Sequence, residues 1–235
     1  MGISIKEIQK ISKPSKADPY HLSIFSRKIS PYFDWVLLRL GFSSNMVTLL
    51  SFVFILIGGF FFTSPDLFSW VIGWMVLQIY HILDCSDGEV ARIRNTASKF
   101  GGMFDAILHP LGNAIVFSAA SIGIYRFMGN VSILYVGFAC TIVLLMFSII
   151  RIHAALRTGV EKNYTIENHA KRTSFIGKLV ALFMEIGGPF NLLFVVSVAS
   201  ILIGIDFRFY FYIIFTFGIF LLFLRKMIDI KKDMS

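Results

Sequence analysis

Long apolar runs constrain this chain more than any other feature of its sequence. Hydrophobic residues make up 56% of its 235 residues and charged residues only 15%, a balance that excludes a soluble globular domain and a disordered chain. Each run is close to the roughly 20 apolar residues that a helix needs to cross a bilayer. The runs are 46–63, 67–83, 104–125, 131–150, 179–205 and 207–224. We therefore expect an all-α integral membrane protein with six transmembrane helices.

The distribution of basic residues predicts the orientation of these helices. Twenty of the 22 Lys and Arg residues lie before the first run, in the second and fourth connections, or in the tail. Only Arg126 and Arg208 lie in the other connections. Because basic residues concentrate on the cytoplasmic side, we expect both termini in the cytoplasm, in the cell membrane of a prokaryote. The net charge of +8 then attracts anionic lipids, and no nucleic-acid partner is expected.

The chain divides into three segments by composition. Residues 46–225 contain the apolar runs, residues 226–235 form a cytoplasmic tail, and residues 1–45 form a cytoplasmic arm. We expect residues 1–17 to be flexible. Residues 19–40 mix aromatic and charged side chains around Pro31, which indicates one or two amphipathic helices lying in the cytoplasmic interface.

Three carboxylates stand where an apolar bundle should avoid them. Asp84 and Asp87 follow the second run and are three residues apart, so they share one face of a helix. Asp105 lies at the start of the third run. Ionisable groups at such positions are costly and usually functional. By the predicted topology all three lie at the cytoplasmic side, where convergent carboxylates bind hard divalent cations such as Mg²⁺.

The three carboxylates belong to a longer pattern of fixed spacing. It reads Asp84-x2-Asp87-Gly88-x2-Ala91-Arg92-x8-Gly101-x3-Asp105-x3-His109. This resembles the signature D-x2-D-G-x2-A-R-x8-G-x3-D-x3-D of the CDP-alcohol phosphotransferases, with seven of its eight positions matched and every gap of the same length. The stretch from Gly41 to Thr48 also resembles a family sequence, except that Ser44 stands where proline is usual.

The resemblance implies a reaction and its cofactors. Members of the family cleave the pyrophosphate of a CDP-linked alcohol, transfer the phospho-alcohol part to a hydroxyl acceptor and release CMP. Short six-span members usually combine CDP-diacylglycerol with a small polar alcohol in phospholipid biosynthesis, which makes this the leading expectation. Two divalent ions, Mg²⁺ or Mn²⁺, neutralise the pyrophosphate, and by position Asp84, Asp87 and Asp105 bind them.

The same resemblance implies roles for the small and basic residues of the pattern. Gly88, which has no Cβ, lets the cytidine approach the backbone, and Ala91 leaves room for the nucleotide. Arg92 meets phosphate oxygens with its planar guanidinium. Gly101 allows close packing of the second and third transmembrane helices. Similar members are homodimers, so we expect a homodimer here.

His109 stands where the family has its fourth aspartate, the residue assigned as general base. It follows Asp105 by four residues and so lies on the same helical face. One interpretation is that His109 is the base, because histidine has an unperturbed pKa of about 6.5. A second is that it binds or orients the metal, with a shift toward Mn²⁺ or Zn²⁺. A third is that the chain binds nucleotide without turnover.

Two other functions therefore stay open beside transfer from CDP-diacylglycerol. A soluble CDP-alcohol is the donor in one of them, and a lipid or glycan hydroxyl is the acceptor. In the other, the chain is a catalytically impaired CDP-binding homologue. The sequence leaves the acceptor alcohol open among glycerol phosphate, inositol phosphate, serine and choline-like compounds.

Overall fold

The computed structural model describes residues 3–11, 26–158 and 190–234, and every regular element in these ranges is an α-helix. The helices are α1 (Ile5–Ile11), α2 (Ser26–Arg39), α3 (Ser44–Phe62), α4 (Leu67–Ile93), α5 (Lys99–Met128), α6 (Ser132–Thr158), α7 (Phe190–Ile203) and α8 (Arg208–Met234). The predicted all-α class is therefore confirmed.

Five helices are long and apolar enough to cross a membrane. They are α3, α4, α5, residues Ser132–Ile150 of α6 and residues Arg208–Arg225 of α8. Helix α7 is apolar but has only 14 residues. It corresponds to the end of the predicted fifth span, 179–205, whose first eleven residues lie outside the described ranges. Five of the six predicted spans are thus matched by long helices.

Helix α4 continues ten residues beyond the apolar run that predicted it. It ends at Ile93, where Asn95 adopts a left-handed conformation with φ of 55°. The amide of Thr96 donates to the carbonyl of Ala91 at 2.9 Å and that of Asn95 to Arg92 at 3.2 Å. These two bonds are the pattern that closes a helix with asparagine or glycine after its last turn. The first half of the motif therefore lies on the end of α4.

The N-terminal arm is more ordered than the sequence analysis expected. Ser4 and Glu7 form a capping box at the start of α1: the Ser4 amide donates to Glu7 Oε2 at 2.8 Å, and the Glu7 amide donates to Ser4 Oγ at 3.3 Å. Ile8 is fully buried where α1 packs on α2. The expectation of a flexible segment over residues 1–17 is therefore wrong for 5–11. Pro31 lies inside α2 and does not divide it.

The described residues group into two compact units. The first contains residues 3–11, 26–55, 74–108 and 190–192, and the second contains 56–73, 109–158 and 193–234. In the first unit, α2, α3 and α4 share an apolar core whose buried members are Leu37, Val47, Leu83 and Val90. Leu83 and Val90 face this core, and their packing fixes which side of α4 the motif residues occupy.

In the second unit, the two basic residues predicted to lie away from the cytoplasm both bind the turn between α3 and α4. Arg126 Nη1 donates to the carbonyl of Thr63 at 3.0 Å, and Arg208 Nη2 donates to the carbonyl of Pro65 at 2.7 Å. The Arg208 side chain is buried and forms an ion pair of 2.5 Å with Asp206. Arg126 and Arg208 therefore stabilise the turn between α3 and α4.

Candidate active site

The carboxylates of Asp84, Asp87 and Asp105 interact electrostatically in the first unit. Asp84 and Asp87 come from the end of α4, and Asp105 from the second turn of α5. Each aspartate lies within electrostatic range of the other two. Asp87 is 8% exposed, while Asp84 and Asp105 are half-buried. Two helices thus bring the three carboxyl groups within electrostatic range of one another.

Asp87 has a partner outside the motif. The hydroxyl of Thr48, in the second turn of α3, donates to Asp87 Oδ2 at 2.6 Å. Thr48 is 4% exposed, so this bond is shielded from water. The sequence analysis gave this threonine no role at the site, because 39 residues separate the two.

Tyr80 is a second residue that the sequence analysis missed. It lies one turn before Asp84 on α4, is 3% exposed, and interacts electrostatically with Asp84, Asp87 and Asp105. Its spacing of four residues from Asp84 was the available signal, since residues at i and i+4 share a helical face. A buried aromatic hydroxyl therefore lies within electrostatic range of the three carboxylates.

The chemistry of these donors fits a hard divalent cation. Carboxylate oxygens are the ligands that Mg²⁺ and Mn²⁺ prefer, and substrate phosphates commonly complete the shell. Across residues 3–11, 26–158 and 190–234, however, no group of three or more His, Cys, Asp and Glu side chains is positioned so that it could hold a metal ion. The donor set fits such an ion in type, and its assignment as a metal site stays a prediction.

The remaining residues of the motif line the same end of α4 and the start of α5. A Cβ atom added at Gly88 would lie 3.5 Å from Arg92 Nη1, so the backbone of this glycine lies close to the guanidinium of an exposed arginine. Ala91 is buried. A Cβ atom at Gly101 would meet Ser98 Oγ at 3.4 Å and Asn45 Oδ1 at 3.5 Å, so these neighbours lie on α3 and just before the start of α5.

His109 lies on α5 one turn after Asp105 and is half-buried. It belongs to the second unit, whereas the other seven residues of the motif belong to the first. Pro110 follows it without ending the helix. A catalytic role of His109 is supported by its position on α5, four residues after Asp105.

Comparison with known proteins agrees with this reading of the motif. The family model described as CDP-alcohol phosphatidyltransferase matches residues 42–224. A bifunctional IPC transferase and DIPP synthase from Aquifex aeolicus is 39% identical over 83 residues, which are 35% of this chain and 17% of that protein. An archaetidylinositol phosphate synthase from Pyrococcus horikoshii is 32% identical over 91 residues, 38% of this chain and 47% of the relative.

A third relative has a similar name. The phosphatidylinositol phosphate synthase of Streptomyces avermitilis is 29% identical over 98 residues, 42% of this chain and 39% of the relative. The chain spans about half or less of the length of these relatives. The family model, by contrast, covers more than three quarters of the chain and contains the whole motif. The chain therefore belongs to the CDP-alcohol phosphatidyltransferase family.

Proposed function

We propose that the chain is a membrane transferase that cleaves CDP-diacylglycerol, passes the phosphatidyl group to a hydroxyl acceptor and releases CMP. The observation that carries the proposal is the grouping of Asp84, Asp87 and Asp105 in one electrostatic cluster. A pyrophosphate carries several negative charges, and three carboxylates alone would repel it. Such a cluster therefore suits a pyrophosphate substrate only if divalent cations lie between them.

Asp84, Asp87 and Asp105 are the residues that would hold these cations, Mg²⁺ or Mn²⁺. When bound, the ions stabilise charge on the cleaved pyrophosphate and on the leaving CMP. Arg92 contributes a planar guanidinium that pairs with phosphate oxygens. Gly88, whose backbone lies close to that guanidinium, and the small Ala91 side chain lie on the same helix end. Together these residues bind and orient the nucleotide half of the donor.

His109 is proposed as the general base. It follows Asp105 by one helical turn, about 6 Å along the same face of α5. A neutral imidazole there accepts the proton of the attacking hydroxyl as the new phosphate ester bond forms. The bond from phosphorus to the CMP oxygen breaks in the same displacement, and CMP leaves with the electron pair.

The names of two relatives support the choice of substrates. One is a phosphatidylinositol phosphate synthase and another an archaetidylinositol phosphate synthase. A phosphatidyl group is what a CDP-diacylglycerol donor delivers, and inositol phosphate is common to both names. We therefore propose CDP-diacylglycerol as donor and inositol phosphate as the first acceptor to test. We place the site at the cytoplasmic leaflet of a homodimer, with both termini in the cytoplasm.

Release of CMP by the purified protein in lipid nanodiscs tests the proposal. CDP-diacylglycerol and, separately, soluble CDP-alcohols are supplied with inositol phosphate, glycerol phosphate, serine or choline, with Mg²⁺ or Mn²⁺. We expect release that requires CDP-diacylglycerol, one acceptor and the metal. Asp105→Ala should abolish it, whereas Asp66→Asn, which changes an exposed acid just before the start of α4, should leave it unchanged. Release only with a soluble donor, or CDP binding without release, would favour the other two functions.

Variants of His109 test the base. His109→Ala should lower kcat/KM by about 10² to 10⁴-fold. His109→Asp restores the residue usual in the family and should retain activity, with the acid limb of the pH profile moved to lower pH because a carboxylate ionises at lower pH than imidazole. Full activity in His109→Ala would remove the histidine from this role.

A further inference from the structure

Thr48 makes a short, buried side-chain contact to one of the motif carboxylates. Its hydroxyl oxygen lies 2.6 Å from Asp87 Oδ2, and both side chains are almost fully buried. Thr48 comes from α3, whereas every residue of the motif lies on or between α4 and α5. A third helix therefore contacts the carboxylate cluster directly.

The hydroxyl of Thr48 has a single proton and two acceptors within reach. The second acceptor is the carbonyl of Ser44 at 3.2 Å, one turn earlier on α3. Because the bond to Asp87 is shorter by 0.6 Å, it takes the proton, and the contact to Ser44 is secondary.

The surroundings of Thr48 keep this donor in place. Its neighbour Val47 is fully buried and shares an apolar cluster with Leu83, which precedes the motif on α4, and with Val90, which lies within it. A threonine side chain has few accessible rotamers on a helix. The packing of Val47 and the few rotamers of the threonine side chain therefore hold the hydroxyl beside Asp87.

We propose that Thr48 is a positioning residue that orients the Asp87 carboxylate for cation binding. The bond occupies one lone pair of Oδ2 and restricts rotation of the carboxylate, which also accepts a hydrogen bond from the backbone amide of Gly88. The lone pairs that these two donors do not use stay available to a ligand. Groups that hold a metal-binding carboxylate in this way commonly change metal affinity or activity by 10 to 100-fold when they are lost. The inference rests on the proposed function, because it assumes a cation at Asp87.

The alternative is that the bond only joins α3 to α4. Ser51 offers a matched control, since it is a buried hydroxyl one turn later on the same helix, 3% exposed. Its hydroxyl donates at 2.7 Å to the carbonyl of Thr48 and not to a motif residue. Loss of the Ser51 hydroxyl therefore reports the cost of removing a buried hydrogen bond from α3 without disturbing Asp87.

Three variants separate the two roles: Thr48→Val, which keeps the shape and loses the hydroxyl, Thr48→Ser, which keeps the hydroxyl, and Ser51→Ala. Binding of Mn²⁺ is followed by electron paramagnetic resonance in nanodiscs, together with CMP release and thermal unfolding without metal. Thr48→Val should weaken Mn²⁺ binding by about 10 to 100-fold and lower kcat/KM similarly. Thr48→Ser and Ser51→Ala should each stay within about threefold of the unmodified protein.

Each outcome decides between the roles. Unchanged Mn²⁺ affinity in Thr48→Val would overturn the inference, as would a loss that Ser51→Ala reproduces or that Thr48→Ser fails to rescue. Absence of Mn²⁺ binding in the unmodified protein would overturn it as well. If binding depends on Thr48 but no CDP-linked donor is cleaved, the positioning role stands and the proposed transferase reaction fails.

Discussion

Asp34 is a buried carboxyl group on α2, with no exposed surface. Burial, and then the neighbouring carboxyl of Glu89, raise the pKa of Asp34 to about 9. An acid whose pKa is raised by folding keeps its proton while the unfolded chain has lost it. Its contribution therefore disfavours the folded state increasingly as pH rises from about 4 toward 9, and it vanishes below about 4.

Replacement of Asp34 by asparagine tests this contribution. The amide cannot ionise and still offers a hydrogen bond, so Asp34→Asn should be more stable than the unmodified protein at pH 8, with a difference that shrinks toward pH 5. Thermal unfolding followed by tryptophan fluorescence at the two pH values measures it. Asp66→Asn changes an exposed acid whose bonds from the Ser69 amide and hydroxyl an asparagine can also accept, so it should show no such gain at pH 8. A lower melting temperature for Asp34→Asn at pH 8 would contradict the assignment.

At the scale of single helices, α5 contains one glycine in a tightly packed position and another with open space around it. A Cβ atom at Gly123 would collide with the carbonyl oxygen of Phe62, lie 2.8 Å from that of Ser64 and 3.2 Å from the Trp70 ring. A Cβ atom at Gly102 would have no atom within 4 Å. The glycine at 123 is therefore required by the close approach of the α3–α4 turn, and the one at 102 is not.

Alanine at each position gives a matched pair. Gly123→Ala should destabilise the fold by about 1 to 3 kcal/mol, because backbone carbonyls cannot move aside easily. Gly102→Ala should be neutral or stabilise α5 by up to about 1 kcal/mol. Thermal unfolding in nanodiscs compares them, and equal melting temperatures for the two variants would argue against the close approach.

The start of α3 shows why one departure from the family sequence is tolerated. Ser44 is the first helical residue, a position that favours proline because the amide there has no helical partner. Serine fits as well, since the preceding Ser43 accepts the amide of Met46 at 3.4 Å and so caps the helix in the usual way. The substitution thus leaves the helix start, and with it Thr48, in place.

The helical fold and the grouping of the carboxylates could both be predicted from the sequence. Bilayer thickness limits the length of apolar runs, so hydropathy locates the centres of the spans. It does not locate their polar ends, which is why α4 ended ten residues later than its run. The contact of Thr48 with Asp87 could not be predicted, because it depends on how α3 packs against α4. The capping box at Ser4 could be predicted, because Ser4 and Glu7 have the S-x-x-E spacing of that motif.

At the scale of the whole molecule, the charge distribution predicts which connections face the cytoplasm. We expect the α4–α5 connection inside and the α5–α6 connection outside. Single cysteines at Thr96 and Val131, both exposed, test this after Cys85 and Cys140 are replaced by serine. A membrane-impermeant maleimide should label Val131→Cys in intact cells and Thr96→Cys only after permeabilisation. The reverse pattern would overturn the predicted topology and the cytoplasmic site.

The bond between Thr48 and Asp87 also has a consequence for biosynthesis. A ribosome adds about 5 to 20 residues per second, so the 39 residues between the two correspond to about 2 to 8 s of translation. Helix α3, with its hydroxyl, is therefore complete before the acidic end of α4 is made. The hydroxyl of Thr48 is therefore already present when α4 packs against α3. Asp87, the most buried carboxylate of the motif, gains a hydrogen-bond donor at the same time as it is buried.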